Sequence, residues 1–434
     1  MSLINDGDFE ELVPEALNLF SLPPYQSSVQ KHYFVNVRPL SQINDTSPLE
    51  FHVSNSGADY IDLKRTRLHV KVKVTQADGT TSLAEDENVA PINLFMSALF
   101  SQTSVYLQNQ LVSSTNNHYA YKSMMKALLG YDAEAKSTQL TSQLFYKDYA
   151  VSNADLESSD VTGSVNNGMM TRASFIAKSK ELTMSGPIFE DIFEMNRHLI
   201  NEVDMTVKMY RSEPKFCLIT SVTSHEFKVH LLDAYLQVCK VKVNPALILA
   251  HNSLFKKSNA LYPYTKSEVK VTSIPTSQLS HSIDNVSNPM ASRYIVGLVE
   301  SASLNGSYDR NPYNFLSSMV KKMTLYVDGA SVPGQPTEAD DVATYVSMLD
   351  GMGLWAEGKG NGISRSEFLL GSALYVFDLD KICADSEYLN LVKSGDVRLE
   401  LEFKSALTQP LSCIVMTQRN SLIEIDKARN VFVK

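Results

Sequence analysis

The chain has 434 residues, 44% apolar and 20% charged, with a formal net charge of −9. That length exceeds one ordinary core and suits two or three domains, and the composition excludes long disorder. The acidic balance argues against a protein that coats nucleic acid, which would carry a basic face.

Residues 1–30 contain Asp6, Asp8, Glu10, Glu11 and Glu15 and no Lys or Arg. A start without a basic end and an apolar core is no secretory signal, and no apolar run approaches the ~20 residues that span a bilayer. The sequons at Asn44, Asn285 and Asn305 therefore read as chance matches. In "NLFSLPPYQ" the paired prolines stop any helix. The segment reads as an extended arm with a short helical piece, docked through Leu17, Leu19 and Phe20.

From residue 31 the pattern is β. In "RLHVKVKV", Leu68, Val70, Val72 and Val74 face one way, and Arg67, His69, Lys71 and Lys73 the other. Period two with a wet face is a half-buried antiparallel strand. "DMTVKMY" (204–210) and "DVRLELEF" (396–403) alternate likewise. Helical patches are few: 121–131, 244–257 with Asn244 as cap and Pro245 as first residue, and 343–349. Many short strands with few helices indicate a sandwich or barrel.

Several features come twice in the same order. "SVYLQNQLV" (104–112) and "TLYVDGASV" (324–332) both read as hairpins, with Gln108-Asn109 and Asp328-Gly329 at the turns. "YKSM" (121–124) answers "YVSM" (345–348), the strand after Asp204 answers the strand after Asp396, and an apolar run at Cys217 answers one at Cys413. The shrinking interval gives the first copy about thirty extra residues, assigned to a surface-loop insertion at 151–168. The expected fold is all-β: two tandem eight-stranded antiparallel jelly rolls with a few short helices. Its divisions are an arm (1–30), jelly roll 1 (31–243) and jelly roll 2 (244–434).

Chemistry is sparse. "GLWAEGKG" (353–360) misses a phosphate loop because Gly360 stands where Ser or Thr would hold Mg²⁺; it reads as a mobile surface loop carrying Trp355. His225 and His230 are spaced five apart and fall on opposite faces of a strand. Asp378 and Asp380 share a strand face without an evident acid/base partner. Cys217, Cys239, Cys383 and Cys413 form no C-x-x-C pair and read as buried, reduced thiols of an intracellular protein. No catalytic, cofactor-binding or metal-ligating residue is assigned, no cofactor is expected, and the chain reads as no enzyme.

Longer stretches look familiar together: 19–29, 57–74, 93–112, 142–150, 305–315, 325–336 and 423–431. With them the chain resembles the major capsid protein of Polinton/Maverick elements and adintoviruses along nearly its whole length, 151–170 excepted. The resemblance implies a double jelly roll that forms homotrimers, pseudo-hexagonal capsomers tiling an icosahedral shell. It implies as partners neighbouring capsomers, a penton single-jelly-roll protein and minor capsid proteins, with no sequence-specific nucleic acid. The expected location is the virion capsid, assembled inside the host cell. The arm is then a candidate clasp on the shell's inner side or between neighbours. The competing reading is a carbohydrate-binding or carbohydrate-active β-sandwich, which predicts a concave aromatic site or two inward carboxylates.

Overall fold

A computed structural model describes residues 15–17, 19, 20, 22, 25–44, 47–222, 226–332, 334, 336, 338–380 and 393–434. Eight strands form the first set: β1 (Val29–Val37), β2 (Leu49–Val53), β3 (Tyr60–Gln76), β4 (Phe100–Leu107), β5 (Gln110–Ser114), β6 (Leu182–Pro187), β7 (Met205–Arg211) and β8 (Phe227–Val243). The second set is β9 (Ala260–Ile274), β10 (Ser280–Ile283), β11 (Arg293–Glu300), β12 (Val320–Val327), β13 (Ala330–Val332), β14 (Tyr375–Asp378), β15 (Val397–Phe403) and β16 (Leu411–Ile425).

Sheet order is the same in both sets. The first pairs β1-β8-β3-β6 and β2-β7-β4-β5; the second pairs β9-β16-β11-β14 and β10-β15-β12-β13. Each strand of the second set occupies the place of the strand eight earlier. Every named pairing is antiparallel, and two four-stranded sheets face each other in each set, which is the jelly-roll arrangement. Val431–Val433 adds a short strand beside β16. The alternation read from the sequence holds in β3, where Leu68, Val70, Val72 and Val74 are buried between partly or fully exposed basic residues. By contrast, β11 (RYIVGLVE) is buried along its centre without alternation, because Phe315 and Leu374 close over it at Gly297.

The hairpin motif is one motif used twice. Gln108 and Asn109 have φ of 47° and 66°, and Asp328 and Gly329 have 49° and 82°. Both turns thus take the left-handed pair that matches the twist of the flanking strands. The equivalence extends to side chains. Gln108 N donates to Asp204 O at 3.0 Å, and Asp328 N to Asp396 O at 2.9 Å. Lys208 lies over the Tyr106 ring at 5.8 Å, and Arg398 over the Tyr326 ring at 5.1 Å. Helix α1 (Tyr119–Gly130) follows the first hairpin and α4 (Val342–Gly351) the second. Between them come α2 (Asn167–Ile176) and α3 (Pro245–Leu254), whose Asn244 cap accepts from Ala246 N at 3.0 Å.

Three expectations are corrected. Cys217 ends a short helical turn before β8, whereas Cys413 lies inside β16, so that echo is not structural. The extra length does fall between the helix and β6, but 151–168 is more than a surface loop. It contains a helical turn at Asn153–Glu157, runs into α2, and buries Leu156, Val161 and Asn166. Leu17, Leu19 and Phe20 follow a 3₁₀ turn (Glu15–Leu17) or belong to it, but they are 68%, 76% and 100% exposed, so these three residues are not docked on their own chain.

Candidate functional site

The seam between the two sets is built around α1. The helix is buried along nearly its whole length, which places two lysines in the interior one turn apart. Lys122 Nζ lies 2.9 Å from Glu190 Oε2 and 3.1 Å from Asp191 Oδ2. Lys126 Nζ lies 2.8 Å from both Asp191 Oδ1 and Glu194 Oε1. Ser113 donates to Glu190, and the backbone N–H of Ser267 on β9 donates to Asp191 Oδ2 at 2.8 Å. A carboxylate of the first set thus satisfies an amide of the second, inside a charge cluster that reaches water at Glu194.

Burial alone would raise the Asp191 carboxyl, but Lys122 and Lys126 outweigh it and hold it at about 2. Glu190 is raised, because burial outweighs its one lysine. The Lys122 ammonium is opposed by burial and stabilised more strongly by Asp191 and Glu190, so its pKa rises. These groups are a clamp and offer no reactive site: every acid faces a lysine that neutralises it.

More contacts cross the seam. Buried Lys136 donates to Leu128 O at 2.6 Å and to Asn361 O at 2.5 Å. Burial first, and then the charge of Lys147, lower its pKa to about 7. Lys147 itself reaches Gly362 O at 2.5 Å and Glu367 at 2.8 Å. Tyr121, Phe216 and Tyr313 meet edge to face with centroids 5.9 to 6.3 Å apart. Gly306, at φ 90°, comes so close that a Cβ would sit 2.5 Å from Phe216 Cα. One apolar core runs continuously through both sets. The sandwiches are therefore held as one block.

The motifs singled out for chemistry do not converge. Asp378 pairs with Arg293 at 3.4 Å and Asp380 with Lys393 at 2.7 Å. His230 sits on β8 near Thr75 Oγ1 at 3.0 Å; His225 lies outside the described residues. Residues 353–358 form turns after α4, with Leu354 packed against the core and Trp355 onward exposed up to buried Asn361. Cys217, Cys239 and Cys413 are buried and free, with burial pushing Cys217 and Cys413 up to about 12; Cys383 lies outside the described residues. Among the described residues, no group of three or more His, Cys, Asp or Glu could hold a metal.

The seam residues escaped the sequence reading, although a signal was present. Two lysines stand in the apolar helix 121–131, and 189–194 (FEDIFE) carries three acids with no base. Such opposite, locally uncompensated charges point to one another across a fold.

At the base of the seam, where the chain passes from β8 through α3 to β9, lies a cavity of about 420 Å³. Leu247, Leu254, Phe255 and Leu261 line it, with Tyr60 and Arg197 on the facing wall. The Tyr60 hydroxyl lies 2.7 Å from His251 Nδ1. None of the α3 residues is fully buried: Leu247 and Ile248 pack against the core, while Leu249 is 71% exposed, so the outer face of this apolar helix has no cover on the single chain.

No family model matches the chain. An uncharacterized protein of Caenorhabditis elegans is 23% identical over 434 residues, spanning 95% of this chain and 99% of that protein. Among solved structures, a chain of the Sputnik virophage covers 98% of this chain and 93% of its own length at 11% identity and a TM-score of 0.64. The Faustovirus major capsid protein covers 96% and 93% at 9% identity and a TM-score of 0.58. The mavirus major capsid protein covers 98% and 95% at 12% identity and a TM-score of 0.54. With both sandwiches matched end to end, the chain has the double jelly-roll fold of these viral capsid proteins.

Proposed function

We propose that this chain is a viral major capsid protein. Three copies associate into a pseudo-hexagonal capsomer, and capsomers tile an icosahedral shell. The observation that carries this reading is the repeated strand order fused by a buried seam. A rigid two-sandwich subunit presents six similar units around a threefold axis, which suits a flat lattice. The units are residues 31–243 and 244–434, preceded by an arm, 1–30. Trimer contacts are obligate and exceed roughly 2,000 Å².

The protein acts in the virion capsid and assembles inside the host cell. It catalyses no reaction; the Asp378 and Asp380 carboxylates serve ion pairs. Its partners are its own copies, neighbouring capsomers, a penton single-jelly-roll protein and minor capsid proteins. It binds no specific nucleic-acid sequence, in keeping with a net charge of −9. Among the described residues no helix is long and apolar enough to cross a membrane. The Polinton/Maverick and adintovirus lineage rests on the sequence stretches named above.

Size-exclusion chromatography with light scattering tests the reading. A stable trimer of 48.3 kDa chains is expected. Negative-stain images should show pseudo-hexagonal particles. A monomer at micromolar concentration that binds glycans would overturn it.

A further inference from the structure

Two unpaired apolar surfaces occur on the same chain. One is the cavity under α3, with Leu249 and Leu254 exposed beside it. The other is the arm, where Leu17, Leu19, Phe20, Leu22 and Tyr25 all lie open to solvent. They also differ in charge: among the described residues a lone arginine lines the cavity, and the arm is acidic. Arg197 lines the cavity, beside His198 and His251. Glu424, bonded by the lining residue Asn259, is engaged by Lys434 at 2.6 Å. The arm has five acids and no Lys or Arg through residue 30.

The arm is rooted at the cavity. Val29 lines the cavity, Ser28 O accepts from Asn244 N at 2.8 Å, and the Gln26 amide brackets Val29 with bonds of 3.0 and 2.6 Å. Next toward the start come Pro23 and Pro24, whose fixed φ favours an extended spacer over a turn back. Nine extended residues from Val29 to Phe20 reach about 30 Å, enough to leave the subunit.

We infer that the arm of one copy docks in the cavity under α3 of a neighbouring copy, its Leu17–Leu22 segment filling the apolar cavity and its acids meeting Arg197 at the rim. Because donor and acceptor surfaces differ, the contact is head-to-tail and links copies into a closed ring or a chain of subunits. The inference rests on the capsid reading and specifies which surfaces hold copies together. It explains why both surfaces stay bare on a single chain.

Cysteine crosslinking tests it on full-length protein. One chain carries Phe20→Cys and a second carries Leu254→Cys; both sites are exposed, and Cys217, Cys239 and Cys413 are buried. Coexpressed and mildly oxidised, the pair should give a disulfide-linked dimer on a non-reducing gel, about tenfold above either single variant alone. Leu249→Glu in the acceptor chain should remove most of that band. A second pair, Leu22→Cys with Leu249→Cys, repeats the assay if the first does not fold. A chain carrying both cysteines that links only within itself would overturn the inference, because the arm would then close on its own subunit. No link in protein that light scattering shows to be trimeric would also overturn it, while leaving the capsid reading intact. Flotation of the wild-type protein with phosphatidylcholine vesicles, lost in Leu249→Glu, would assign the surface to lipid and likewise overturn it.

Discussion

Replacing Lys122 by Met removes the central cation of the seam while keeping side-chain length. Lys122 and Glu190 have fully buried side chains, and Asp191 is 2% exposed. The variant leaves Glu190 with Ser113 alone, and Asp191 with Lys126 and the Ser267 amide. Stranding a buried charge costs about 3–5 kcal/mol. For a unit of this size that lowers the melting temperature by roughly 10 °C, at about 2–4 °C per kcal/mol. Urea titration, followed by tryptophan and tyrosine fluorescence, measures the loss. Adding Glu190→Gln to the variant should recover about half of it, because a neutral amide can still accept from Ser113. Lys122→Met within about 1 kcal/mol of wild type would refute the view that this cluster clamps the two sandwiches.

The same cluster predicts an acid response with a defined sign. Asp191 is held at about 2 against an ordinary 3.8, so its contribution is present above pH 4 and lost as pH falls toward 2. Glu190 is shifted upward, so keeping it charged opposes folding above its ordinary 4.5; Glu190→Gln should therefore leave the Asp191 loss intact. Lys136, lowered from 10.5 to about 7, binds fewer protons folded than unfolded between those values. Wild type should therefore gain stability over Lys136→Met between pH 7 and 9, read by urea midpoints; a constant difference would refute it. Two glycines with positive φ separate strain from crowding. Gly329→Ala, with nothing within 4 Å, should cost about 1 kcal/mol. Gly306→Ala, driven into the Phe216 backbone, should cost about 3 kcal/mol or prevent folding, and equal costs would refute the close approach.

Much of the architecture was legible because local chemistry carries it. A strand wet on one face writes period two into its residues, as Leu68 to Val74 do. A two-residue turn with both φ positive selects Asp-Gly, and Asn244-Pro245 announces a helix start. The hidden parts are those whose residues answer to distant neighbours. The centre of β11 does not alternate because both faces are covered. Residues 151–168 read as a loop from their Ser, Asp and Asn content, yet they pack because Asn166 bonds Tyr149 N, Met169 N and Asp148. Cys217 and Cys413 matched as letters but occupy different elements.

The sequence alone determined that the chain doubles an eight-stranded plan, because turn chemistry and residue alternation are short-range properties repeated in each copy. Only the tertiary structure decided how the two copies join. Lys122, Asp191 and Ser267 lie far apart along the chain, and a charge is stable in an apolar interior only where the fold delivers its partner.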